Sequence, residues 1–366
     1  MPGIVLKSIS KSIRGQKILD NVSMEIEEGS FVCLLGPAGG GKTTLLKIIA
    51  GLETPDRGSV FFGNDDVTDL PPNMRNVSMV FQDFALYPHM SVFKNLASPL
   101  AAKRLPASQI QKKVEEVAGF LKIDRFLTRK ITQLSGGEMQ RVAIGRALAK
   151  EAKIVLFDEV FVNLDYKLRE EMRVEFKKLV GTLNITTVFS TPDPEDALSL
   201  ADRVAVVNNG KIIQYDEMRK VYEYPVDVFT GSYFGYPEMN LIDCTVTEKD
   251  DGRPTIDTGA FAIPIENTEG GSKAIKPGDY VLGLRPENIR IGNKPEGPIA
   301  VRGKMILTEV IGSDTIVHIA VGPHTIHAFV PGIYRSASDQ DLYVGFEPKD
   351  VYLFDREKGT LETRGI

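Results

Sequence analysis

Gly36-Pro37-Ala38-Gly39-Gly40-Gly41-Lys42-Thr43-Thr44 decides how the rest of the chain reads. It fits G-x-x-x-x-G-K-[ST], with Gly36 and Gly41 as the fixed glycines. Before it, Phe31-Val32-Cys33-Leu34-Leu35 is a short apolar run expected to form a buried strand. After it, Thr43 to Ala50 is apolar enough for a packed helix. Strand, glycine loop and helix let successive backbone N–H groups curl round an anion at the positive end of a helix. Lys42 supplies a point charge to the outer phosphates, and the Thr43 hydroxyl can ligate Mg²⁺. A glycine-rich turn with a surface lysine is the alternative, and the flanking pattern argues against it.

Strand signals continue on both sides. Ile4 to Ser10 alternates in part and Ser23 to Glu27 alternates cleanly, while Ser59 to Phe62 and Val77 to Phe81 read as further strands ahead of Gln82. From about Ser91 to Arg129 the pattern turns helical, with Val114, Val117, Ala118 and Leu121 on one face. A second helix spans Glu138 to Lys150. Ile154-Val155-Leu156-Phe157 is a continuous apolar run ending in Asp158-Glu159, as a buried parallel strand does. A helix over Tyr166 to Leu183 and a strand over Ile185 to Ser190 follow. Asn208-Asn209-Gly210 between two apolar runs predicts a hairpin.

From about Tyr236 helical periodicity fades. Short strands separated by Gly, Pro and Asp take over, at Leu241 to Val246, Tyr280 to Leu284, Lys304 to Val310, Thr315 to Ala320, Thr325 to Phe329, Leu342 to Gly345 and Val351 to Phe354. Their spacing predicts a small barrel or sandwich. The expected division is therefore an α/β domain over 1–235 and an all-β domain over 236–366.

Composition narrows the partners. The chain has 366 residues, enough for two or three domains, and 42% apolar residues, enough to fill real cores. Net charge is −5 with Lys and Arg dispersed, which argues against a broad nucleic-acid surface. Cys33 and Cys244 lie far apart in sequence, so two packed thiols in a reducing compartment are expected. No run of about eighteen apolar residues occurs, and the first residues lack a signal-peptide pattern. The expectation is a cytosolic protein that acts at a membrane only by docking on a partner.

Leu134-Ser135-Gly136-Gly137-Glu138, lying between the phosphate loop and Asp158-Glu159, narrows the chemistry. By itself it is a helix start, with Ser135 as N-cap and an anion site at the glycines. In that position and order it resembles the L-S-G-G-Q signature of the ABC transporter ATPases, differing at Glu138. Val80 to His89 resembles the Q-loop region of carbohydrate-importer ATPases. Tyr222 to Pro225 and Gly235 to Asn240 resemble that family's link between domains. Gly283-Leu284-Arg285-Pro286-Glu287 resembles the G-x-R-P-E motif of its C-terminal OB-type domain. The likeness covers nearly the whole chain, and the maltose-importer subgroup matches best.

The resemblance implies a phosphate-loop ABC ATPase domain with a helical subdomain at about 86–150, followed by an all-β OB-type domain. It implies two ATP molecules sandwiched head to tail in a dimer. Gly36, Pro37, Ala38, Gly39, Gly40, Gly41, Lys42, Thr43 and Thr44 would cradle the phosphates. Thr43, Gln82 and Asp158 would hold Mg²⁺, and Gln82 would also contact nucleotide and sense the transporter. Glu159 would polarise the attacking water as general base. Ser135, Gly136, Gly137 and Glu138 would bind the nucleotide held on the opposite subunit. The implied activity is ATP-driven import of a sugar, polyol or glycerol-type solute at the cytoplasmic face of the membrane. The implied partners are membrane permease subunits, an extracytoplasmic solute-binding protein indirectly, and no nucleic acid.

Four further positions depart from the family. Ile13 stands where it has an aromatic, Val160 where it has Pro, and Val162 where it has Ser in Phe161-Val162-Asn163-Leu164-Asp165. Pro192 replaces a His whose imidazole hydrogen-bonds the γ-phosphate, and proline has no side-chain donor. Locally, Asp193 and Pro194 suit the start of a helix. The departures lead to the expectation that this chain's own site turns over slowly or not at all, and that it pairs with a second, non-identical ATPase rather than forming a homodimer. A nucleotide-holding regulatory subunit without turnover is the alternative. A soluble ABC protein acting on ribosomes or DNA is a third reading, opposed by the single ATPase unit and the OB-like tail.

Overall fold

The computed structural model describes residues 3–162, 164–183, 185–248, 253–265, 275–335 and 339–366. Asn163 of the loop singled out above lies outside them. The chain divides into two units, Met1–Met218 and Arg219–Ile366.

The first unit begins with β1 (Ile4–Ile13) and β2 (Gln16–Ile26), a hairpin turning at Arg14 and Gly15. Both strands run further than the alternation in the sequence suggests. Register shifts along the pair, with Ser8 and Asn21 at positive φ, break the period of two. Next come β3 (Phe31–Leu35), α1 (Lys42–Ala50), β4 (Arg57–Phe62), β5 (Asp65–Asp66) and β6 (Val77–Val80). The helical subdomain holds α2 (Val92–Ala102), α3 (Ala107–Phe120) and α4 (Gly136–Ala149). The unit continues with β7 (Ile154–Asp158), α5 (Tyr166–Leu183), β8 (Thr186–Thr191), α6 (Pro194–Leu200), β9 (Arg203–Asn208) and β10 (Lys211–Glu217).

Two sheets carry this unit. One has the order β2-β1-β4-β5 and is antiparallel. The other has the order β10-β9-β3-β8-β7-β6, in which β9, β3, β8, β7 and β6 run parallel and the predicted hairpin adds β10 at the edge. β3, β7 and β8 are buried along their whole length, which explains the apolar runs of β3 and of β7 up to Asp158, while β8 buries Thr186, Thr187, Ser190 and Thr191 as well. Residues from α1 such as Leu45, Leu46, Ile48 and Ile49 fill the core between the two sheets. The rings of Phe31, Phe157, Phe161, Phe176 and Phe189 pack together, with Phe157 edge-on to Phe176 at 4.8 Å. Phe161 thereby anchors the loop just beyond β7.

The second unit opens with α7 (Met218–Glu223) and α8 (Val228–Tyr233). Its strands are β11 (Asn240–Glu248), β12 (Pro254–Asp257), β13 (Ala262–Pro264), β14 (Gly278–Leu284), β15 (Arg290–Gly292), β16 (Ile299–Ile311), β17 (Asp314–Val321), β18 (His324–Val330), β19 (Asp341–Phe346), β20 (Val351–Asp355) and β21 (Leu361–Arg364). They form sheets of order β13-β12-β11-β14-β20-β21 and β15-β19-β16-β17-β18 round one apolar core. All seven strands predicted for this region form. The four not predicted, β12, β13, β15 and β21, have only three or four residues each, too few for a periodic signal.

Arg285 organises this unit. It is buried, donates to the carbonyls of Phe234 at 3.0 Å and Tyr222 at 2.6 Å, and stacks on the Tyr222 ring. Cys33 and Cys244 are both buried and unpaired, and burial pushes the Cys244 thiol up to about 12.

Candidate nucleotide site

The phosphate loop leaves β3 and ends at α1. Gly41 caps the helix at φ 102°, a left-handed conformation open to glycine. Gly36 answers to a different constraint, since a Cβ there would lie 1.9 Å from the Val207 carbonyl oxygen on β9. The two fixed glycines are thus set by backbone conformation at one end and by close approach at the other. Ala38 and Gly39 form an exposed tip; Gly40 is buried and its N–H meets the Pro37 carbonyl at 3.2 Å. Thr43 and Thr44 are half-buried in the first turn of α1.

Lys42 is 3% exposed. Its ammonium donates to the carbonyls of Gly36 at 2.7 Å and Pro37 at 2.9 Å, and lies 3.1 Å from Glu159 Oε1. Asp158 ends β7, beside β8 in the parallel sheet. Its Oδ1 accepts from Thr43 Oγ1 at 2.9 Å and from Ser190 Oγ at 2.8 Å. Burial pushes the Asp158 carboxyl above the usual carboxylate range, against the lowering effect of those two hydrogen bonds. Glu159 follows at φ 48°, its N–H aimed at the carbonyl and hydroxyl oxygens of Ser190, each at 3.1 Å. A non-glycine residue in that region is strained, and Ser190 holds it there.

Lys42, Thr43, Asp158 and Glu159 therefore meet at the C-terminal ends of parallel strands, where open α/β sheets bind ligands. Thr43 and Asp158 present a hydroxyl and a carboxylate oxygen side by side. That donor set fits Mg²⁺, which is held by few protein oxygens and completes its shell with phosphate and water. No cluster of three or more His, Cys, Asp or Glu among the described residues offers an all-protein cage. Gln82 stands exposed just beyond β6, which pairs in parallel with β7.

The signature turn is elsewhere. Ser135 caps α4, and Glu138 completes a capping box: its Oε2 accepts from the Ser135 N–H at 2.9 Å while its own N–H points to Ser135 Oγ at 3.4 Å. Ser135 and Gly136 are exposed and Gly137 is buried. Among the described residues no hydrogen bond joins this turn to the phosphate loop, and Ser135 and Gly136 are open to solvent.

Pro192 is half-buried between two anchored neighbours. Thr191 Oγ1 donates to Asp196 at 2.7 Å, and Asp193 caps α6 by accepting from the Glu195 N–H at 2.9 Å. Arg173 on α5 ties this segment down through Asp196 at 2.6 Å, Glu195 at 3.0 Å and Asp193 at 3.3 Å; Arg169 adds a 2.6 Å bond to Asp193. Ile13 ends β1 and is 40% exposed. Val160 is buried; Val162, half-buried, offers its carbonyl to Arg169 at 3.3 Å.

Sequence reasoning missed Ser190, Gln140 and the Arg169–Arg173 clamp. A polar residue closing an apolar strand was a visible cue for Ser190. Two arginines four apart ahead of Asp193, Glu195 and Asp196 were a cue for the clamp.

A family model described as ABC transporter matches residues 19–162, and one described as MalK OB fold domain matches residues 235–289. The trehalose/maltose import ATP-binding protein MalK of Thermococcus litoralis is 37% identical over 98% of this chain and 99% of its own length. The sn-glycerol-3-phosphate import ATP-binding protein UgpC of Yersinia pseudotuberculosis is 36% identical over 98% of this chain and 99% of its own. The spermidine/putrescine import ATP-binding protein PotA of Marinobacter nauticus is 41% identical over 88% of this chain and 86% of its own. Among solved structures, the dimeric post-hydrolysis state of the ATP-binding cassette MJ0796 bound to ADP and Pi is 33% identical, with a TM-score of 0.55, covering 59% of this chain and 99% of that one. With the phosphate loop, paired carboxylates and signature in place, this chain belongs to the ATP-hydrolysing ABC transporter ATPases, in the branch of import ATP-binding proteins that carry a MalK-type OB domain.

Proposed function

We propose that this chain is the ATP-binding subunit of a solute importer, on the cytoplasmic face of the membrane, coupling ATP binding and hydrolysis to uptake of a sugar, polyol or glycerol-type solute. The observation that carries the reading is the convergence of Lys42, Thr43, Asp158 and Glu159 at the C-terminal ends of the parallel strands, with a solvent-exposed signature turn on the same unit. The sugar and glycerol solutes rest on the names of MalK and UgpC relatives that match end to end. Residues 36–44 receive the phosphates, with Thr43, Asp158 and Gln82 set for Mg²⁺. Mg²⁺, when bound, offsets phosphate charge as it builds. Glu159 orients water once its carboxylate leaves Lys42. Ser135, Gly136, Gly137 and Glu138 face the nucleotide of an opposing subunit.

A groove of about 600 Å³ on the first unit suits a permease segment. Its lining includes Met74, Tyr87, Lys103, Arg146 and Lys150 and no carboxylate. Met74 is 63% exposed. Arg146 also grips the carbonyls of Phe84 and Ala85, two and three residues beyond Gln82. A partner seated there would move the Gln82 segment directly. Native complex isolation tests the reading: permease subunits and magnesium-dependent hydrolysis should co-purify with the chain. Recovery with ribosomes or DNA, or no nucleotide affinity, would overturn it.

A second reading is favoured by Pro192. The segment Thr191 to Asp196 is firmly anchored yet presents no side-chain donor at its apex. On that reading this chain's own site turns over slowly, and its signature turn completes a faster site on a second, non-identical ATPase. Subunit stoichiometry decides: two copies of this chain with brisk hydrolysis and no other ATPase would exclude it.

A further inference from the structure

Gln140 lies in the second turn of α4, the helix that begins with the signature residues, and is 0% exposed. Its Nε2 donates to the carbonyl oxygen of Val160 at 2.6 Å. Its Oε1 has no hydrogen-bond partner among the described residues. Burying an amide with one arm unpaired is unfavourable, and a leucine or methionine would fill similar space without that loss. Its evident contribution is the single bond to Val160.

Val160 directly follows Glu159. The strained Glu159 backbone is held on one side by Ser190 and, through Val160, on the other by Gln140. On the same side of α4, Gly137 packs against α5, where a Cβ would meet the Leu168 side chain at 2.5 Å.

We propose that Gln140 is a positioning residue that ties the signature helix to the Glu159 loop. When the signature turn engages a nucleotide on the opposite subunit, the pull on α4 shifts Val160 and releases the Glu159 carboxylate from Lys42. Each nucleotide site thus reads the occupancy of the other. The inference rests on the signature and general-base roles proposed above.

Gln140→Met in the full-length chain, within its native membrane complex, tests it. Methionine keeps the volume and removes the donor. ATP turnover should fall about ten- to a hundred-fold, as expected when a reacting group is displaced by a fraction of an ångström to an ångström. ATP affinity and melting temperature should stay unchanged, and cooperativity in ATP should disappear. Unchanged turnover and cooperativity would overturn the proposal. So would a parallel loss of affinity and melting temperature, the mark of a merely structural residue. Ser135→Ala serves as the control: if it leaves turnover intact, the signature reading has failed rather than the role of Gln140.

Discussion

The Lys42 ammonium and the Glu159 carboxylate lie 3.1 Å apart, joined across the gap between phosphate loop and strand end. The group that should orient water is held on the cation that should meet the phosphates. ATP and Glu159 should therefore compete for Lys42. Glu159→Gln should lower hydrolysis by about 10²- to 10⁴-fold. It should leave ATP affinity equal or tighter, because a neutral amide gives up Lys42 more readily. Phosphate release and equilibrium nucleotide binding check this; weaker binding would show that the pair does not compete.

Asp158 sets a pH dependence. Burial raises its carboxyl above the ordinary range, so the folded chain holds that proton more tightly than the unfolded one. Its contribution to stability is present below the unfolded value and is lost as pH rises through the folded value. Without nucleotide, Asp158→Asn should melt higher than the parent near neutral pH, and the gap should close toward about pH 4. Calorimetric melts across that range measure it. A gap that widens on acidification would reverse the assignment.

Arg173 is 5% exposed and faces Asp196, itself 1% exposed, at 2.6 Å. Burial opposes charge on Arg173, yet the carboxylates of Asp196, Glu195 and Asp193 hold its pKa above the usual arginine value. Arg173→Met removes the cation and strands a buried carboxylate. The expected loss is about 3–5 kcal/mol in chemical denaturation. Adding Asp196→Asn should recover part of that loss, since the stranded charge goes with it.

Pro192 is the position where a donor is missing. Pro192→His should raise turnover by at least about tenfold if the absent donor limits the site. Steady-state hydrolysis by the native complex is the measurement. An unchanged rate would place the limit elsewhere and weaken the asymmetric reading.

The phosphate loop was legible because its residue types recur at fixed spacing between two apolar runs, although the constraint on Gly36 comes from Val207 on a distant strand. Gly41 needs a left-handed backbone, and the apolar runs on either side need burial. The capping box at Ser135 and Glu138 and the helix start at Asp193 and Pro194 were legible for the same reason. β1 and β2 extend beyond the alternating stretches because bulges at Ser8 and Asn21 erase the alternation that marks a strand.

Other features depend on residues that chain order keeps apart. Thr43 and Asp158 are 115 positions apart in sequence and share a hydrogen bond. Motif order alone pointed to both residues, since each lies in its own local pattern. That Glu159 rests on Lys42, that Ser190 holds both carboxylate positions, and that Gln140 reaches Val160 came only from folding. Short-range stereochemistry is written into consecutive residues, whereas which buried donor meets which acceptor is settled by the order in which β3, β8 and β7 lie side by side.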